Sequence, residues 1–321
     1  MKQLILNCIR LSMSGKEKLL ITGGLGNIGS WLSEYFSSRY DVYILSKNVK
    51  NLLSCDCTIL QADITNLDDL KLKLNVEFDY CIHAASYNEF FHENYVKKAL
   101  EVNTLGTRNL IETLKDTSIK NFIYLSTFHV YGARNGTITE NTALSPQNDY
   151  ASTHLFAEYF LKQFFYTHNF QSVIFRLTNS YGAPKSIIST KWYLVLNDLV
   201  KSAYENQLII LKGNGKAVRD LIWIGDVCDV LERSLPLALN DVYNLSSGKT
   251  YGMIELAKKV QNVYKSRYGK KIEIITSKTD QTKYSELKVD NTKLRNIIDI
   301  NFKDNLNEEI NSIFNLLETS S

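Results

Sequence analysis

Short apolar runs alternate with longer stretches of helical period through the first half of the chain. Lys18–Thr22, Asp41–Leu45, Cys57–Leu60, Tyr80–His83, Asn121–Leu125 and Ser172–Arg176 are compact runs rich in aliphatic and aromatic side chains, and they predict strands. Between them, Asn27–Ser38, Leu67–Leu74, Val96–Leu114 and Tyr150–Tyr166 repeat apolar positions every three or four residues and predict helices. This alternation predicts βαβ units, and strands apolar along their length predict burial on both faces. The fold class expected is α/β, a doubly wound parallel sheet.

Beyond Leu177 the pattern loosens. Asn179–Pro184 is rich in turn residues, and Trp192–Glu205, Tyr251–Arg267, Thr292–Ile297 and Leu306–Leu317 predict helices. Ile209–Leu211, Leu221–Ile224 and Val242–Leu245 predict further strands. The expected organisation is a parallel-sheet domain over residues 17–177, to which 222–250 returns. Residues 178–221 and 251–321 then form a smaller C-terminal substrate domain over the carboxyl ends of the strands. Met13 precedes Ser14-Gly15-Lys16, so residues 1–16 are expected to be an N-terminal extension.

Composition narrows the partners. With 37 basic and 34 acidic side chains the net charge is only +3, too balanced to create the field that nucleic acid selects. No apolar run reaches the length of a bilayer span, and Met1–Leu11 is interrupted by Asn7 and Arg10 without a cleavage pattern. Cys8, Cys55, Cys57, Cys81 and Cys228 are scattered, with no Cys-x-x-Cys pair to hold zinc, so no metal site is expected. A reducing cytoplasm is the expected compartment.

The candidate chemistry begins where the first strand ends. Leu19-Leu20-Ile21-Thr22 runs directly into Gly23-Gly24-Leu25-Gly26-Asn27-Ile28-Gly29, and a helix pattern follows at once. Glycines permit a tight turn and a close backbone approach to a pyrophosphate, and a helix amino end offers free N–H groups to it. Gly23, Gly26, Asn27, Ile28 and Gly29 are therefore candidate cofactor residues. A nicotinamide dinucleotide usually meets an acid at the end of the second strand, yet that strand ends Leu45-Ser46-Lys47. Ser46 and Lys47 suit a 2′-phosphate, so both NAD and NADP stay open, as does a merely solvated Lys47.

Further on, Leu125-Ser126-Thr127-Phe128-His129-Val130-Tyr131-Gly132 precedes a helix opening with Tyr150-Ala151-Ser152-Thr153-His154. Tyr150 and His154 lie one turn apart and share a helix face. A tyrosine whose pKa is lowered by a nearby cation serves as acid or base. With these motifs in order, the chain resembles the extended short-chain dehydrogenase/reductase family, specifically its nucleotide-sugar epimerases and dehydratases, along nearly its whole length.

The resemblance implies a Rossmann fold, a bound NAD or NADP, a nucleotide-sugar substrate and a homodimer. It implies that Asp63-Ile64 contacts adenine, that His83-Ala84-Ala85 lines the cofactor, and that Asn103 matches the family's helix asparagine. It aligns Thr127 with the catalytic Ser/Thr and Tyr150 with the catalytic tyrosine. Asn179, in Arg176-Leu177-Thr178-Asn179-Ser180-Tyr181-Gly182, and Arg219 would hold the substrate's phosphates. The reaction implied is hydride and proton exchange at a sugar carbon, expected at C4. One position departs from the pattern: Tyr-x-x-x-Lys ends here in His154, which would still meet the cofactor ribose but carries only partial charge near neutrality. Two alternatives therefore stay open, an NAD(P)H-dependent ketosugar reductase and a dinucleotide-binding sensor or scaffold without turnover. His129 is assigned to packing or to substrate contact, and Trp192 and Tyr193 to core packing or base stacking.

Overall fold

The computed structural model describes residues 15–49, 53–89 and 91–319. The extension expected over residues 1–16 thus falls almost wholly outside the described residues. The large sheet has seven strands: β1 (Lys18–Thr22), β2 (Asp41–Ser46), β3 (Thr58–Gln61), β4 (Tyr80–His83), β5 (Asn121–Thr127), β6 (Ser172–Leu177) and β7 (Val242–Leu245). Every pairing is parallel, in the order β7-β6-β5-β4-β1-β2-β3. β1 therefore has β2 on one side and β4 on the other, so the chain reverses direction across the sheet at this point. Crevices at such a reversal, at the carboxyl ends of the strands, are where α/β sheets take ligands.

The apolar strands are explained by two cores, one on each face. Leu19, Ile21, Ile82, Ile123, Val173 and Phe175 point to one side with helix α1 (Asn27–Ser37). Leu20, Cys81, Phe122, Tyr124 and Ile174 point to the other. There they meet α2 (Leu67–Lys73), a long α3 and α4 (Asp149–His168). α3 is continuous from Tyr95–Ala99 through a π-helical stretch, Leu100–Gly106, into Thr107–Leu114. Periodicity alone reads this as one regular helix, because a π-helical insertion shifts the register without removing the apolar face. α4 begins where Asn148 accepts the Ala151 N–H at 2.8 Å and ends at Asn169 in the left-handed conformation.

The second half builds a core of its own. Helices α5 (Val195–Asn206), α7 (Met253–Tyr268) and α8 (Leu306–Glu318) bury Leu199, Val200, Leu256, Val260, Ile313 and Phe314 together. Asn179–Tyr181, Val218–Trp223 and Thr250–Gly252 form a small sheet beside the large one. The strand predicted over Leu221–Ile224 is longer at its start and stops at Trp223. Ile224 opens α6 (Ile224–Ser234), an element that strand-like apolar continuity concealed. Val242–Leu245 lies at the edge of the large sheet, against β6. Among the described residues no helix is long and apolar enough to cross a membrane.

One buried ion pair fixes α4 on the sheet. Arg176 of β6 donates to both carboxylate oxygens of Glu158 on α4, at 3.1 and 2.7 Å, with both side chains almost wholly buried. Ser126 of β5 donates to the same carboxylate at 2.6 Å, and Arg176 also donates to Tyr131, which in turn donates to Asn244 of β7. Glu158→Ala would leave the guanidinium buried without its anion. It is expected to cost about 3–5 kcal/mol of stability, read as the shift of a urea unfolding curve. A loss below about 1 kcal/mol, the range of an exposed pair, would show that this charge is not what anchors the helix.

Candidate active site

A cavity of about 1420 Å³ opens at the carboxyl ends of β1, β2, β4 and β5, under the segment from Leu177 to Leu196. It is lined by Gly23, Gly26, Asn27, Ile28, Gly29, Ser46, Lys47, Asp63, Ile64, Ala84, Ala85, Thr127, Tyr150 and Asn179. The side chains of His83, Asn103, His154 and Arg219 are held elsewhere. Residues from positions 23 to 179 thus converge because parallel strands all end on the same side.

The glycine turn is closed by contact as much as by conformation. Gly23 has φ +67°, and a Cβ there would lie 2.7 Å from the Ala85 Cα. A Cβ on Gly29 would lie 2.0 Å from the Gly23 carbonyl oxygen, so α1 can start against the turn only with glycine at that position. No side chain caps α1 and no acid lies in its first turn. Its first N–H groups and positive end are left for an anion. The Asn27 side-chain amide oxygen at this cavity wall is buried without a partner. A cradle that a Cβ would fill, an uncapped helix end and an unpaired acceptor fit a dinucleotide pyrophosphate and its ribose.

The end of β2 is rearranged relative to its expected role. The Ser46 hydroxyl donates to the Asn48 carbonyl at 2.9 Å, and Lys47 pairs with Asp63 at 2.6 Å. Asp63 also accepts from the Thr65 N–H and hydroxyl. Burial alone would raise the Asp63 carboxyl, but Lys47 and Thr65 outweigh it and hold the group below the usual carboxylate range. A carboxylate, that of Asp63, thus stands just after β3 at the same end of the cavity, paired with Lys47.

The chemical centre gathers around Tyr150. Burial pushes its phenol up to about 12, and the neighbouring hydroxyls of Ser86 and Thr127 oppose that rise. His129 also lines the cavity, its ring centroid 6.5 Å from that of Tyr150. Burial, and then the charge of Arg219, lower the His129 pKa. His154 packs edge-on against Tyr150, with centroids 4.5 Å apart, but does not itself line the cavity. Its Nε2 lies 3.0 Å from Ser86 Oγ and its Nδ1 2.7 Å from the Tyr124 hydroxyl. Burial, with a smaller contribution from His129, lowers its pKa to about 3, so His154 is neutral at pH 7. The expected partial cation beside Tyr150 is absent.

The other candidates have structural partners. His83 bridges Thr22 and Thr107 beneath the cofactor wall, and Asn103 holds the backbone of Tyr87 and the Thr153 hydroxyl. Asn179 lines the cavity and donates to the Asp220 carbonyl. Arg219 donates to the Val218 carbonyl and remains exposed. Of the aromatic pair, Tyr193 lines the cavity and donates to the Asn88 carbonyl, whereas Trp192 donates to Ile187 and lies outside it. Sequence reasoning missed Ser86, Lys191 and Glu89. Lys191 also lines the cavity and forms an ion pair with Glu89, joining the segment after β4 to the segment before α5. No spacing rule links residues so far apart. Ser86 alone had a local signal, as the hydroxyl that directly follows His83-Ala84-Ala85.

A parallel sheet with a glycine cradle at its reversal point, and a half-buried tyrosine with hydroxyls in the same cavity, defines a Rossmann-type fold. The chain belongs to the NAD dependent epimerase/dehydratase family, whose model matches residues 19–255. It is 29% identical over 282 residues to a dTDP-D-glucose 4,6-dehydratase of Dictyostelium discoideum. That match takes in 77% of this chain and 62% of that protein, so the chain spans about three-fifths of that relative's length. It is 28% identical over 278 residues to the UDP-glucose 4-epimerase of Bacillus subtilis, covering 76% of this chain and 81% of that one. Its fold is shared with the UDP-N-acetylglucosamine 4-epimerase of Methanobrevibacter ruminantium (TM-score 0.81, 19% identity, 96% of this chain and 100% of that chain). It is also shared with the UDP-glucuronic acid 4-epimerase of Bacillus cereus, solved with UDP-glucuronic acid and NAD (TM-score 0.77, 20% identity, 95% and 100% covered).

Proposed function

We propose that this protein is an epimerase or dehydratase of a nucleotide-activated sugar, reacting at one sugar carbon, C4. The observation that carries the reading is the convergence of Tyr150 and Thr127 on the cavity bounded by the glycine turn. A nicotinamide, when bound, supplies the site that accepts and returns a hydride. The chain's own residues manage the proton and the geometry. Tyr150 takes the proton of the reacting hydroxyl and gives it back, and Thr127 hydrogen-bonds the same oxygen and sets its distance from the phenol. Burial excludes water, which strengthens these hydrogen bonds and protects the transient ketone. The nucleotide diphosphate lies toward Asn179, with Arg219 swinging in from the edge.

Turnover is tested on UDP- and dTDP-linked sugars, the substrate classes named in the relatives. The protein is expected to convert at least one of them, and Tyr150→Phe to lower kcat by about 10²–10⁴-fold while NAD binding is kept. The neutral His154 favours the second reading, a dinucleotide-binding protein without turnover. Binding of NAD with no conversion of any nucleotide-sugar would establish that reading in place of the first.

We infer that the cofactor is NAD. Lys47 is paired with Asp63 and Ser46 is turned to Asn48, which leaves a neutral ion pair rather than a free cation at the β2–β3 end of the cavity. NAD is expected to bind at least about tenfold more tightly than NADP, or about 1.4 kcal/mol, by calorimetry. Equal or reversed affinities would reassign Lys47 to a 2′-phosphate.

The assembly proposed is a homodimer through α3 and α4, which leave Val96, Leu100, Phe156 and Tyr159 exposed. Light scattering is expected to give twice the 36.8 kDa chain mass. Recovery of the single-chain mass at micromolar concentration would remove the dimer.

A further inference from the structure

The column of side chains behind Tyr150 is built from groups that hydrogen-bond in series. At its base the Thr107 hydroxyl donates to the Asn103 carbonyl at 2.6 Å, which commits its only proton. Its oxygen must therefore accept from His83 Nε2, 2.8 Å away, and His83 Nδ1 must accept from the Thr22 hydroxyl at 2.6 Å. The next layer is Tyr124, stacked between the two imidazoles with centroids 5.4 Å from His83 and 5.8 Å from His154. Thr107 also borders the Tyr124 phenol, but it has no proton left to give and already accepts one from His83. The better acceptor within reach of the Tyr124 hydroxyl is His154 Nδ1, at 2.7 Å.

That bond decides what His154 does next. A neutral imidazole that accepts at Nδ1 carries its proton on Nε2. His154 Nε2 then donates to Ser86 Oγ, 3.0 Å away. With its oxygen occupied as an acceptor, Ser86 has its own proton free for the cavity wall it shares with Tyr150, whose ring packs against His154 with centroids 4.5 Å apart.

We propose that Tyr124, His154 and Ser86 form a polarised hydrogen-bond relay that ends as a donor on the Tyr150 oxygen, and that this relay replaces the cation of a Tyr-x-x-x-Lys site. The proposal rests on Tyr150 being the acid–base group. Ser86 and His154 are positioning residues: they fix the direction of a donor that stabilises the phenolate, the form able to take a proton from a sugar hydroxyl. A donor aimed at an anionic oxygen is among the stronger hydrogen bonds.

The surrounding charges leave this task to the relay. His83 from β4 and His129 from the turn after β5 are both shifted toward the neutral form by burial. Glu158 on α4, which opposes ionisation of Tyr124, is paired with Arg176. Tyr95 of α3 and Tyr193 raise the Tyr150 pKa. Arg219 acts on His129 and stays exposed at the edge.

The test combines a direct observation with kinetics. In protein labelled with ¹⁵N-histidine, the ring nitrogen shifts of His154 are expected to show the neutral Nε2–H form from pH 5 to 8. Tyr124→Phe is expected to release that preference. An Nδ1–H form or an imidazolium at pH 7 in the unaltered protein would overturn the relay, and this readout needs no turnover. In kinetics, Ser86→Ala is expected to lower kcat at pH 7 about tenfold or more, the scale of losing one donor to a charged oxygen. KM should stay within about twofold, and the acid limb of the kcat–pH profile should move up by about one unit, which corresponds to that tenfold change. Ser86→Thr, which keeps the hydroxyl, is expected to restore most of the rate, with NAD affinity reporting that each variant is folded. A Ser86→Ala enzyme with unchanged kcat and profile, alongside an inactive Tyr150→Phe, would overturn the relay alone. An active Tyr150→Phe would instead overturn the acid–base reading of Tyr150.

Discussion

The placement of helix α4 on the sheet is the constraint from which the site follows. α4 carries Tyr150 and His154 near its start, and a helix bound only by apolar contacts can slide or rotate by a fraction of a turn at modest cost. The Glu158–Arg176 pair removes that freedom. The carboxylate is met by two guanidinium nitrogens and by Ser126, and the guanidinium by Tyr131, so β5, β6 and, through Asn244, β7 all fix one point on the helix. Such a pair does not have to add net stability over apolar packing. Its directional bonds specify one arrangement, and breaking it leaves a buried charge. Two turns back along α4 from this point, Tyr150 lines the same cavity as Thr127 and Ser86.

A second physical theme is the exclusion of charge from the centre. His83, His129 and His154 are all driven toward the neutral form, chiefly by burial. A buried cation costs several kcal/mol unless an anion faces it, and the one buried carboxylate on α4 is already taken by Arg176. The site is therefore assembled from hydroxyls and neutral imidazoles, whose influence passes through bond direction rather than through long-range field. The contrast with the cofactor end is clear, where the Lys47–Asp63 ion pair sits close to solvent.

How legible this was in the chain depends on the range of the interaction. The glycine turn could be read directly, because Gly23 and Gly29 meet within six residues and steric contact admits no other side chain. The alternating strands were equally legible, since burial on both faces demands continuous apolar runs. α6 was not, because Ile224 continues the apolar run of a strand while its partners Val227, Cys228 and Leu231 are spaced for a helix. The π-helical stretch in α3 leaves the apolar pattern almost untouched and so gave no sign of itself.

The sequence by itself determined the class of fold, the glycine cradle and the tyrosine that we propose as the acid–base group. Each of these rests on local sterics or on periodicity, which a linear chain displays. It also revealed that residue 154 is histidine, but not what a histidine there would do. Only the tertiary structure decided that, by burying the ring until it was neutral and by bringing Tyr124 from a strand and Ser86 from a loop, 30 and 68 residues away, to its two nitrogens. Protonation and tautomer depend on desolvation and on which partners fill each lone pair. Those are properties of a packed neighbourhood, and no stretch of the chain contains them on its own.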